Sequence, residues 1–207
     1  MTSRVLLGKI VATFLCFFLG SAAWCETDAE YRKFIEVGNK LIKESPDSYR
    51  GYACRGSAYN FLKKYDLAEK DLLKALSLNP SYAGIYGHLA SLYYETKRYE
   101  KAVAASRKLI ELGEDGQVAY DGLIANLCQA GHYDECLKTC DVVILRFPND
   151  ASAYFYRALS KNELGKFEGR DVVSDLSKAH LLKPEDSGFK RIYSLAQAGK
   201  SIKLIKR

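Results

Sequence analysis

Proline is scarce in this sequence. There are four in 207 residues, at Pro46, Pro80, Pro148 and Pro184, which leaves long stretches free to be helical. Histidine is scarcer: His88, His132 and His180 stand far apart, and no GxSxG, HExxH or P-loop pattern occurs. Acidic residues are scattered in the usual way of solvated helix surfaces. No catalytic residue, cofactor or metal is assigned, and the chain is expected not to be an enzyme. Strong charge is missing too, with a formal net charge of +6. A nucleic-acid binder concentrates basic residues on one face or run. The only such concentration is C-terminal, at Lys190, Arg191, Lys200, Lys203, Lys206 and Arg207. It reads as a solvated helix and a frayed end, with contact to an anionic partner or membrane surface as the alternative. Nucleic acid is not an expected partner. No window alternates with a period of two for long enough to suggest a sheet.

What is present is a folded, soluble composition, 48% hydrophobic and 27% charged. The first 23 residues stand apart. Arg4 and Lys9 precede an apolar run from Ile10 to Leu19, and Gly20, Ser21, Ala22 and Ala23 follow. Basic, apolar, small is the order of a secretory signal, so residues 1–23 are read as a signal peptide cleaved after Ala23 or, second, after Cys25. The mature chain is then expected to be exported, periplasmic or secreted. The alternative keeps residues 5–24 as a membrane anchor, with Lys9 snorkelling.

The rest repeats. Tyr52, Tyr86, Tyr120 and Tyr154 recur every 34 residues, and so do Tyr65, Tyr99, Tyr133 and Phe167. In residues 49–82, Tyr52, Gly56 and Tyr59 mark one face of a first helix. Lys63-Lys64 makes a turn, and Tyr65, Ala68, Leu72, Ala75 and Leu76 mark a second helix ended by Asn79-Pro80. Gly56, Ala90 and Ala158 are small where paired helices must approach closely, as are Ala68, Ala102 and Cys136. Three departures stand out. Glu114 replaces a proline, so glycine must end that helix. Ile124 replaces the small residue of its unit, which predicts a splayed hairpin. Lys161 replaces an apolar residue. Two extra residues lie between Phe167 and Pro184.

Tyr86-x-x-Leu89-Ala90-x-x-Tyr93, with Tyr99 and Ala102, resembles the tetratricopeptide repeat pattern, as do Tyr52, Gly56, Tyr59, Ala68, Ala75 and Pro80. The resemblance implies an all-α fold, a right-handed α-solenoid of antiparallel helix hairpins. It covers four repeats at 49–82, 83–116, 117–150 and 151–186. Residues 24–48 and 187–207 are expected to supply N- and C-terminal capping helices, the latter with the basic tail. One hairpin cannot bury its apolar face alone; stacked hairpins can.

The resemblance further implies a concave groove lined by the first helices, holding a protein or peptide segment. Its expected partner-binding residues are Arg50, Ser57, Asn60 and Phe61 in the first repeat. Gly84, Gly87, His88, Ser91 and Tyr94 follow in the second, where the glycines suggest room for a bulky side chain to approach the backbone. Asp121 and Gln129 come from the third. Ser152, Phe155, Tyr156 and Asn162 come from the fourth, with the aromatics as anchors or as packing for the C-terminal helix. Some family members grip a C-terminal carboxylate with Lys, Asn and Arg. The comparable positions here hold Ala53, Ser57, His88, Val118, Gly122, Ser152 and Tyr156, so that clamp is absent. The function implied is an exported adaptor or scaffold in envelope assembly or secretion. A membrane-anchored assembly factor is the alternative.

The cysteines offer a third reading. His132, Cys136 and Cys140 are spaced four apart, with Cys128 across the preceding turn. Such a set suits a redox or zinc site. Cys136 and Cys140 also occupy columns that hold Ala68 and Leu72 in the first repeat, which favours burial as small apolar groups. A disulfide such as Cys128–Cys136 is the intermediate possibility.

Overall fold

The computed structural model describes residues 28–165 and 168–198. The expected signal or anchor, Phe167 and the basic residues from Lys200 onward lie outside them. The described residues form ten α-helices and no strand: α1 (Asp28–Glu44), α2 (Tyr49–Phe61), α3 (Tyr65–Leu78), α4 (Ala83–Glu95), α5 (Tyr99–Glu111), α6 (Gln117–Ala130), α7 (Tyr133–Arg146), α8 (Ala151–Leu164), α9 (Gly169–Leu182) and α10 (Ser187–Gln197). The chain divides into two compact units, ending and beginning at Leu92 and Tyr93.

Helix starts follow from short polar side chains two residues after proline. Ser48 accepts from the Arg50 amide, Asp150 from Ala153, and Asp186 from Gly188 and Phe189. Each such cap satisfies orphan N–H groups and contributes about 1 kcal/mol. Tyr65, Tyr99 and Tyr133 open α3, α5 and α7 as the sequence predicts. The fourth second helix, α9, begins at Gly169, consistent with the two extra residues.

The turn after each first helix needs a left-handed residue. Lys63 and Lys97 supply it at φ +58°, Gly131 at φ +83° and Gly165 at φ +61°. The bond that closes the turn recurs, as Lys64 N–H to Tyr59 O at 2.9 Å and His132 N–H to Leu127 O at 2.9 Å. A side chain in this region costs roughly 1–2 kcal/mol, part of which glycine returns as unfolded-state entropy. Lys63→Gly and Lys97→Gly should therefore each stabilise the chain by about 0.5–1 kcal/mol in urea titrations. Gly131→Ala should destabilise it by about 1 kcal/mol, and purely through the backbone, because a Cβ at Gly131 meets nothing within 4 Å. Gly113, at φ +94°, ends α5 in place of the missing proline.

In the first unit α2 packs between α1 and α3. Gly56 lies against α3 so closely that a Cβ would meet Leu72 Cγ at 3.0 Å and the Ala68 carbonyl oxygen at 3.2 Å. Ala68, Leu72 and Ala75 are fully buried there. Burying Leu72 alone contributes roughly 1.5–3 kcal/mol. In the second unit Ile124, Leu127, Cys136, Cys140, Val143, Ala158 and Leu176 form one core, closed at its C-terminal end by Ile192 of α10. Bulky Ile124 is fully buried between α6 and α7, and these helices make a less extensive contact than α8 and α9, in line with the expected splaying. The capping helices form as expected, α1 before Pro46 and α10 after Pro184.

Candidate functional site

In the first unit the face of α2 and α4 is polar. Asn60, buried, donates from Nδ2 to Ser91 Oγ at 3.5 Å, and its Oδ1 has no hydrogen-bond partner. Ser57, three residues before it, is half-buried and Arg50 is exposed. His88 is half-buried, and burial pushes its pKa down to about 4, so the ring is neutral near pH 7. Two sequence expectations change here. Phe61 stacks on Tyr31 of α1, with ring centroids 4.8 Å apart and planes at 12°, so it anchors the N-terminal cap. The space beside Gly84 is filled by the Tyr82 ring, which a Cβ would meet at 3.0 Å, and Gly87 is buried. The bare approach suggested by the two glycines is therefore covered at Gly84.

In the second unit α6, α8 and the last turn of α4 bring together Tyr94, Gln129, Tyr156 and Asp121. The Gln129 side chain lies beside Tyr94, and Gln129 Oε1 is buried without a partner. Tyr94 and Tyr156 interact electrostatically, and Tyr156 does so with Cys128 and Asp121 as well. Burial holds the Tyr156 phenol well above its ordinary pKa, and burial with Tyr99 raises that of Tyr94. Ser152 and Asn162 are half-buried on α8. Phe155 stacks on Phe189 of α10 at 4.5 Å and edge-on against Tyr156 at 5.5 Å. Of the two readings of this aromatic, packing on the C-terminal helix is the one seen.

A family model described as tetratricopeptide repeat matches residues 62–127. Small glutamine-rich tetratricopeptide repeat-containing protein 2 of Saccharomyces cerevisiae is 34% identical over 86 residues, 42% of this chain and 25% of that protein. Heat shock protein STI1 of the same yeast is 30% identical over 106 residues, 50% of this chain and 18% of that protein. The chain thus spans a quarter or less of these relatives' length. A solved structure titled YrrB, a TPR protein with an unusual peptide-binding site, is similar at TM-score 0.69 and 19% identity, covering 84% of this chain and 85% of that one. A MamA structure is similar at TM-score 0.65 and 19% identity, covering 86% and 90%. Residues 62–127 thus carry tetratricopeptide repeat sequence, and the chain is similar in fold to tetratricopeptide repeat proteins over most of its length. Its fold is the all-α solenoid class expected from the sequence. Such a scaffold serves protein–protein interaction.

Two features of this tetratricopeptide repeat chain escaped the apolar reading of the sequence. Arg55 of the first repeat forks onto Asp71 at 2.6 and 2.9 Å and reaches Asn39 of α1 at 2.7 Å. Arg157, three repeats on, forks onto Asp175 at 2.9 and 2.6 Å and reaches Asp141 of α7 at 2.8 Å. Each arginine thus ties its own hairpin shut and ties it to the preceding helix. Lys161 joins the second staple, 2.8 Å from Asp175, which explains a lysine where the family places an apolar residue. The internal repeats have Leu89 and Leu123 at the arginine position, both buried. The signal was available: the two arginines share one column of the 34-residue period.

The three cysteines of the second unit that the sequence singled out are core residues. Cys128, Cys136 and Cys140 are 1% exposed or less and free, and the Cys136 thiol donates to the Ile124 carbonyl at 3.5 Å. Hydrogen bonding to Cys136 and burial raise the Cys128 thiol, and burial chiefly raises that of Cys140. His132 does not join them. It is the N-cap of α7: its carbonyl accepts from the Cys136 amide at 2.8 Å, but its own backbone, at φ −80° and ψ 57°, is not helical, and its side chain turns elsewhere. Its ring contacts Glu100 at 2.8 Å and lies 4.0 Å from Glu135. Among the described residues no group of three or more His, Cys, Asp or Glu side chains suits a metal ion.

Proposed function

We propose that this tetratricopeptide repeat chain is an exported, non-enzymatic adaptor that holds a protein segment on its first-helix faces, in envelope assembly or secretion. The observation that carries the binding reading is the Tyr94–Gln129–Tyr156 cluster of the second unit. It joins two half-buried aromatics, of the kind that anchor interfaces, to a half-buried glutamine whose amide oxygen is buried and unsatisfied. YrrB, titled as having a peptide-binding site, is a precedent from the same fold. The missing Lys, Asn and Arg of the carboxylate clamp weigh against a chaperone-tail ligand, despite the similarity to Heat shock protein STI1. Export rests on the order of residues 1–23; no helix among the described residues is long and apolar enough to cross a membrane.

The binding test is co-purification from envelope extracts, followed by affinity measurement on the captured segment. Tyr94→Ala and Gln129→Leu should each weaken binding about tenfold or more, the cost of roughly 1.4 kcal/mol at an interface anchor. Leu181→Ser, on the 73% exposed Leu181 of α9, should leave it unchanged. Equal affinity in all three would reject this face as the site. N-terminal sequencing of the mature chain tests export separately, a start at Trp24 or Glu26 supporting it and an intact N-terminus refuting cleavage.

A further inference from the structure

α6 and α8 are the first helices of consecutive repeats in the second unit. Asp121 stands on α6 and Asp150 caps α8, and they are 6% and 1% exposed. Their side chains lie within hydrogen-bonding range of one another. Asp150 Oδ1 accepts from the Ala153 amide at 3.0 Å. Asp150 Oδ2 and Asp121 Oδ1 are buried with no partner. Ionised carboxylates only accept hydrogen bonds, so two of them side by side leave both oxygens unsatisfied and repel in a poorly solvated site. One added proton resolves both defects. The Ala153 amide already donates to Asp150, so the proton is placed on Asp121.

We propose that Asp121 and Asp150 share a single proton, and that this proton is the latch that joins α6 to α8. The groups facing Asp121 are few. Asp150 and Tyr156 come from the α8 side, and Lys183 from the residue after α9. Burial, then the charge of Asp150 and its hydrogen bond, push the Asp121 pKa up to about 8, against a smaller pull downward from Lys183. Tyr156 stays neutral across this range.

The folded pKa is raised above the ordinary 3.8, so the folded chain holds the proton where the unfolded chain releases it. The contribution to stability is full below that ordinary value. It falls as pH rises and levels off above about 8, where both states have lost the proton. Above that pH two buried carboxylates oppose each other across the α6–α8 joint. The device stands whether or not the neighbouring face binds a partner.

Urea unfolding of the full chain from pH 5 to 9, wild type against Asp121→Asn, tests it. The asparagine amide donates to Asp150 at every pH. The wild-type folding constant, divided by that of the variant, should fall about tenfold per pH unit and flatten above about pH 8. Infrared spectra of wild type should show a carboxylic-acid carbonyl band at pH 7 that disappears by pH 9 and is absent from Asp121→Asn. A ratio that does not change with pH, or wild-type spectra without a titrating acid band, would overturn the shared proton. If Asp121→Asn does not fold, the wild-type spectra decide the matter alone.

Discussion

An Arg55→Met chain is expected to lose about 3–5 kcal/mol of stability, the cost of stranding one member of a buried ion pair. The Asp71 side chain is only 7% exposed, and both its oxygens are held by Arg55. Methionine fills the aliphatic volume of arginine but donates nothing, so the carboxylate stays desolvated without a partner. The first unit also loses the Asn39 contact that ties α2 to α1. Arg157→Met should cost less, about 2–3 kcal/mol, because Lys161 Nζ remains 2.8 Å from Asp175. Removing the charge as well as its partner, in Arg55→Met/Asp71→Leu, should recover most of the loss, since paired ions and well-packed apolar groups are nearly equivalent in a core. Denaturant titrations of the four chains measure all of this. A loss below 1 kcal/mol for Arg55→Met would show that Asp71 finds water instead. Equal losses for the two arginines would remove Lys161 from the second staple.

These staples also show what a periodic reading leaves out. The 34-residue period was legible because its columns obey simple sterics. Gly56, Ala68, Ala90, Ala102 and Ala158 are small where backbones meet, aromatics open second helices, and proline with a short polar residue restarts the chain. Helix boundaries, both caps and the turn at Lys63 follow from those columns. Arg55 and Arg157 carry charge at a position where the internal repeats carry leucine, and such residues look like solvated surface. Two inserted residues also shift Asp175 out of register with Asp71.

The candidate face was legible only in part, and for a related reason. Column position says which side of a helix a residue occupies, not what arrives to cover it. Phe61 and Phe155 hold groove positions, yet each sits beside the end of its array, where a capping helix brings Tyr31 or Phe189 against it. Tyr94 and Tyr156 instead meet Tyr99 and Phe155 edge-on, at 5.9 Å and 5.5 Å. Asp121 lies on the same face, but a partner eight residues beyond Val142, at the start of the next helix, fixes its state. Helical spacing misplaced His132 for the simplest reason of all: the helix starts one residue later.

Gly51→Val is expected to release α1 from the first unit. α1 crosses α2 at two glycines. A Cβ at Gly51 would meet Ile42 Cγ1 at 2.7 Å and the Ile42 backbone nitrogen at 2.9 Å, and one at Gly38 would meet the Gly51 carbonyl oxygen at 3.0 Å. Rotation of a side chain relieves the first contact; the backbone contacts remain, so the helices must separate. Overpacking of this kind costs typically 1–3 kcal/mol, and valine recovers little of it through helix propensity. Separation also breaks the Tyr31–Phe61 stack and the contact of the Cys54 thiol with the Phe34 carbonyl at 3.5 Å. Cys54 then supplies a local readout. Burial against α1 pushes its pKa up to about 11, which keeps it protonated and slow to alkylate near pH 7. In Gly51→Val its alkylation, followed by mass mapping, should accelerate at least tenfold, while Cys128, Cys136 and Cys140 stay protected in the second unit. Acceleration at all four would mean global unfolding. No acceleration at Cys54 would mean that α1 tolerates the wider crossing and that the glycine pair is not what seats the cap.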